Sequence, residues 1–160
     1  MSPLLRICAG LTLAIVATAM IAAAAATRLS DEDRKALANL VEVRRVDAVP
    51  AGVWTAFAAA SADHSSSMAN PGEKWQATDV IMEKGLPWRR LIFAGVSDQY
   101  CLLHYERGGI AHSFHLMLFR RDGDEWRLVW RAASGHIEKL SDVAAALQSP
   151  AVQDDPTYAH

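Results

Sequence analysis

Cysteine is nearly absent from this 160-residue chain, which holds only Cys8 and Cys101. Cys8 lies in the apolar N-terminal stretch, so the rest of the chain has one thiol and can close no internal disulfide. Stability must then come from packing. Cys101 falls inside an apolar, strand-like run and reads as a small buried hydrophobe rather than a reactive thiol. A basic excess is absent too: all 18 acidic residues lie beyond residue 26 with 15 of the 16 Lys and Arg, and the whole chain has a formal net charge of −2. A mildly acidic domain has no general attraction for polyanions, so nucleic acid is not an expected partner. The sequence also lacks a phosphate-binding glycine loop, a paired-cysteine metal motif and a nucleophile elbow, and no cofactor is expected.

Long apolar runs are limited to one. Arg6 is followed by no charge until Arg28, and Ile7 to Ile21 is an apolar stretch that leads into an alanine tract from Ala22 to Ala26. Small residues at Ala24 and Ala26 suit signal peptidase, with a cut before Thr27. Residues 1–26 therefore read as a signal peptide and the protein as periplasmic or secreted. The competing reading is an uncleaved anchor, since about 20 apolar residues can span a bilayer. Alanine is a weak membrane former, which favours cleavage. The membrane would be met only through this leader. Cys8 comes too early, and without a small-residue box before it, to mark a lipoprotein.

The following 27–150 read as a single α+β domain and 151–160 as a flexible tail. Ser30 and Asp33 form a weak capping box, and Ala36, Leu37, Leu40 and Val41 follow at helical spacing, which predicts a helix over Asp31 to Arg45. Pro50, Val53, Trp54 and Phe57 predict a second helix that starts at the proline and ends near Ser61, before an exposed loop to Lys74. The period then becomes strand-like. Candidate strands are Trp75 to Met82, Arg89 to Val96, Gln99 to Arg107, Ile110 to Arg121 and Glu125 to Ala133, with a last helix over Ile137 to Leu147. Links this short allow only an antiparallel meander. The expected fold is thus α+β: N-terminal helices packed on a five-stranded antiparallel meander, a curved sheet or roll, with a C-terminal helix. That order is similar to cystatin-like and nuclear-transport-factor-like rolls, a likeness of fold that implies no function.

Gly108-Gly109 and Asp122-Gly123 read as two-residue turns, which fixes the faces. Tyr100, Leu102, Met117, Phe119, Trp126, Leu128 and Trp130 then share one apolar face that packs on the helices. The other face holds Leu103, Tyr105, Ile110, His112, Phe114, Leu116 and Val129 beside Arg107, Arg127 and Arg131. It is too apolar to be bare, so another part of the chain, a ligand or a partner should cover it.

Chemistry concentrates in the central hairpin, His104 to His115, which holds three of the six histidines. With a two-residue turn His104, Glu106, Ser113 and His115 share a face, and His104, Glu106 and His115 have the makings of a divalent-metal site. A three-residue turn would instead set His104 opposite His112 and exclude His115. The spacing lacks the specificity of a ligand motif, so hydrogen-bonded structural histidines are the preferred reading. His104, Glu106, His112, Ser113, His115 and Tyr105 form the candidate polar site. Arg107, Arg127 and Arg131, with Trp88, Trp126 and Trp130 nearby, form a candidate recognition surface. Asp63-His64-Ser65 are too close in sequence to converge as a triad.

The expected function is an exported binding domain for a protein partner or small ligand, of inhibitor or immunity type, using a sheet face or the loop edge. The alternative is a metal-assisted enzyme, such as a hydrolase, built on the His-rich hairpin. The leader reading makes a direct prediction: mass measurement of the exported protein should find Thr27, or a close neighbour, at the mature N-terminus, and a retained Met1 would identify an anchor.

Overall fold

The computed structural model describes residues 28–81 and 83–155. The expected leader, 1–26, lies outside the described residues. Ser30 caps helix α1 (Asp31–Ala36) by accepting the Asp33 N–H at 3.1 Å, as its place in the sequence suggests. The helix is much shorter than expected. It tightens into a 3-10 turn at Leu37–Asn39, and Val41–Val43 becomes strand β1. β-Branched valines flanking Glu42 lose side-chain freedom in a helix, whereas β2 offers them an unpaired strand edge.

Pro50 stands at the N-cap of α2 (Ala51–Ala60) rather than inside it, and the Ser61 hydroxyl donates to the Phe57 carbonyl at the far end. Strands β2 (Arg89–Val96), β3 (Tyr100–Arg107), β4 (Ser113–Asp122) and β5 (Glu125–Ser134) form the meander. A 3-10 turn and α3 (Val143–Ala146) follow, and β6 (Gln153–Asp154) pairs with β5. Among the described residues the sheet has six antiparallel strands in sequence order, not five. The expected final helix is reduced to its second half, and the Ile137 N–H, at its expected start, is bonded to His104. The tail expected to be loose from 151 supplies β6. No helix among the described residues is long and apolar enough to cross a membrane.

Of the expected strand Trp75 to Met82, residues 75–81 do not form the first strand of the meander, and Met82 lies outside the described residues. On the side of β2 away from β3, β1 occupies one part and an isolated bridge from Ala69 to Arg90 another. The segment keeps one bridge, Thr78 to Gly109. Gln76 turns inward, is almost fully buried, and donates from Nε2 to the Thr78 carbonyl at 3.0 Å and to that of Val80.

The decisive departure is the β3–β4 connection. Arg107 pairs with Ser113, so the link is the five residues Gly108 to His112 and not a two-residue turn. Gly108 is required by packing: a Cβ there would lie 1.9 Å from the Gln76 carbonyl oxygen. Because alternate strand residues face opposite ways, the new register moves Met117 and Phe119 away from Tyr100. They join Val53, Phe57, Leu91, Leu103 and Tyr105 beneath α2. Phe93, Tyr100, Leu102, Leu116, Leu118 and Trp130 build the other face, covered by Leu37, Leu40, Leu140 and Leu147 from the two chain ends. The chain itself therefore covers the second apolar face. Phe57, with no exposed surface, contributes about 1.5–3 kcal/mol through burial alone.

Replacing Gly108 by Ala should push the 76–77 backbone off the hairpin and lower stability by about 1–3 kcal/mol, the usual cost of overpacking. A urea titration measures it, and an unchanged midpoint would show that this contact does not hold the loop.

Candidate functional site

Strand alternation sends His104 and Glu106 to the Trp130 face and Tyr105 and Arg107 to the α2 face. His104 has no exposed surface. Its Nδ1 lies 3.0 Å from the His115 carbonyl and its Nε2 accepts the Ile137 N–H at 3.1 Å, so these partners assign the proton to Nδ1. Burial, only partly opposed by the bond to the His115 carbonyl, pushes its pKa down to about 4. Both ring nitrogens are committed to holding β4 and the segment before α3.

His115 lies on the opposite face. It stacks on Tyr105 with ring centroids 5.1 Å apart, and its Nε2 lies 2.8 Å from the Ser113 hydroxyl. Burial, joined by the positive charge of Arg107, lowers its pKa to about 4 as well. The metal set His104, Glu106 and His115 expected on one face is therefore split across the sheet. The five-residue connection is the reason. Of the candidate polar residues, His104, Glu106 and His112 come together on one side and Tyr105, Ser113 and His115 on the other. Among the described residues no group of three or more His, Cys, Asp or Glu is placed to hold a metal ion.

Glu106 is the centre of the first group. Its buried carboxylate accepts from Arg90 Nε at 2.6 Å and lies 2.7 Å from His112 Nε2. The Arg90 guanidinium sits 5.1 Å from the centre of the Trp75 ring, and the His112 ring 5.5 Å from it. One carboxylate thus ties β2, β3 and the connection together, and the indole closes over the outside. Sequence reading counted Arg90 among the arginines of a recognition surface but missed its pairing with Glu106, and it missed the part of Trp75 altogether. The signal for Arg90 was its opposite charge directly across an antiparallel pair from Glu106; nothing local marked Trp75. A glutamate-oriented imidazole resembles a general base. On the opposite face of the sheet, the cavity beside His115 and Tyr105 measures about 10 Å³, the room of one water at most.

The three arginines do not form one surface. Arg131 shares the α2 face with Arg107 and donates from Nε to the Asp155 carbonyl at 3.0 Å. A bulge between Leu118 and Phe119 switches the faces of β5, so Arg127 lies on the other side, paired at 3.4 Å with both Asp122 and Glu125. Trp130 is buried and bonds Asp154 at 2.7 Å, and Trp126 packs against Gly52 of α2.

The loop end above Glu106 carries a feature the sequence reading did not assign. Ile110 is 95% exposed, and Val80 and Ile81 are 64% and 65% exposed on the segment bridged to Gly109 through Thr78. Trp88, the residue whose carbonyl accepts the Gly108 N–H, is exposed beside them. Val80 and Ile81 had been placed in a strand, Ile110 on a sheet face and Trp88 beside the candidate recognition surface; the absence of a strand at 75–81 and the longer connection leave the first three facing outward.

The two buried histidines predict a pH dependence of known sign. Both are neutral when folded down to about pH 4, whereas in the unfolded chain they bind protons from about 6.5. Stability should be full above 6.5, fall as pH drops toward 4 by up to about 1.4 kcal/mol per pH unit for each, and level off below for this pair. Urea midpoints across that range check it, with His104→Gln expected to remove one proton from the slope; a flat profile would refute the neutral, buried assignment. No protein family, no curated protein and no solved structure matches this chain.

Proposed function

We propose that this protein is an exported binding module that holds a protein partner on the apolar loop end formed by Val80, Ile81, Trp88 and Ile110. The observation that carries the reading is Ile110, which is 95% exposed on a connection braced from beneath by the Glu106 carboxylate and its Arg90 and His112 partners. Large apolar side chains displayed on a rigid support cost water contact for no gain in the free molecule, and such patches mark interaction sites. Their arrangement selects the class of ligand. They project from loops instead of lining a hollow, so a small molecule could not be enclosed by them. Asp79 and Glu83 flank the Val80-Ile81 pair and disfavour an anionic bilayer surface. A protein surface with a matching apolar depression suits both features. The metal-assisted enzyme alternative draws less support from the hairpin, because the β3–β4 register separates His104 and Glu106 from His115.

Affinity capture from an envelope extract tests the reading when run with variants. The wild-type protein and Arg127→Asp should retain the same partner, whereas Ile110→Asp and Ile81→Asp, each with an unchanged melting temperature, should each weaken it by roughly 30-fold if these are hot spots. Equal recovery by all four, or partition onto lipid vesicles in place of a protein, would overturn it.

A further inference from the structure

The helical layer over the Trp130 face is divided. Its N-terminal part, α1 and the 3-10 turn after it, meets the C-terminal part at Leu40 and Leu140. These two side chains close over Gly95, where a Cβ would lie 2.8 Å from Leu140 Cδ1 and 3.0 Å from Leu40 Cβ. Beside that contact the two parts separate and leave a groove of about 490 Å³. Leu37, Leu40, Leu140, Val143 and Leu147 supply its apolar lining, and all but Val143 remain partly accessible. The volume falls within the ~300–1,000 Å³ of small-molecule sites.

The charges at the groove are unequal in their commitments. Glu42 is already engaged, accepting from Arg44 Nε at 2.7 Å and from the Leu140 N–H at 2.7 Å. Arg34, which lines the groove, is exposed and has no carboxylate partner among the described residues. It also borders a second hollow of about 200 Å³, shared with Leu147 and with Arg28, a second cation. Its one carboxylate neighbour there, Asp154, accepts the Trp130 Nε1–H at 2.7 Å. An apolar trench with an uncommitted guanidinium group, that of Arg34, at its rim is complementary to one kind of molecule.

We propose that this groove is a binding site for an anionic amphiphile with a single short aliphatic chain. The chain lies along Leu37, Leu40, Leu140 and Val143, and the head group, a carboxylate or its equivalent, meets Arg34. The guanidinium fork accommodates two oxygens of such a head at once. Gly95 and the groove belong to the end of β2 away from Arg89, whose strand partner Arg107 leads into the Ile110 loop. The site is therefore separate from the proposed protein contact and stands or falls independently.

Titration calorimetry of the whole protein with hexanoate, octanoate and decanoate tests the proposal. Binding should be saturable at one site, and each added methylene should tighten it about threefold to fourfold. Arg34→Glu should weaken decanoate about tenfold or more. Ala144→Trp, at an exposed position on the groove lining, should abolish binding without lowering the melting temperature. If that variant proves unstable, Leu37→Ala supplies the apolar test by reversing part of the chain-length gain. Absence of saturable decanoate binding at about 1 mM, equal binding of decylammonium, or binding indifferent to these variants would each overturn it.

Discussion

The contact between Gly108 and the backbone at Gln76 governs the rest of the molecule. It is too close for any side chain, and it sits at the start of the five residues by which the chain travels from Arg107 to Ser113. Strand side chains alternate with a period of two, so this length decides which half of β4 faces α2 and which half faces Trp130. Every later assignment inherits it. Tyr105 stacks on His115, His104 buries among Phe93, Phe114 and His136, and Glu106 stays within reach of the loop it braces.

What could be read from the residues alone follows the range of the interactions involved. The Ser30 cap, the Val53-Phe57 stripe and the strands β2 to β5 are local patterns, and they appear within a few residues of expectation. The antiparallel α+β arrangement follows from them. β1 and β6 were not legible, since three valine-rich residues and two polar ones become strands only because a neighbour's edge is free. The candidate site suffered most. The expected placement of His104 and His115 depended on a turn length that Gly108-Gly109 suggested, whereas Arg107 pairs with Ser113 across a five-residue connection in which Gly108 meets the backbone at Gln76.

The polar groups inside the fold share a pattern. Arg89 is buried under α2, bonded to Asp63 at 2.8 Å with its guanidinium 5.4 Å from the Phe57 ring centre, and Glu106 is buried between Arg90 and His112. Breaking either pair would strand a charge away from water, which costs several times more than an exposed ion pair returns. Each of these pairs anchors irregular chain to regular strand: Asp63 belongs to the loop after α2, and His112 to the β3–β4 connection. Long loops with little secondary structure of their own are in this way tied to the sheet.

The short border strands have a consequence for how the molecule assembles. β2 to β5 are joined by brief links and form through neighbouring contacts, the kind that close fastest. β1 must wait, because Val41 finds its partner only at Val96, across α2 and the whole irregular loop. Until it docks, part of the outer rim of β2 is open and able to recruit the rim of another molecule. Three residues thus act as a late seal, and crowding of half-folded chains is most hazardous in the interval before that seal forms.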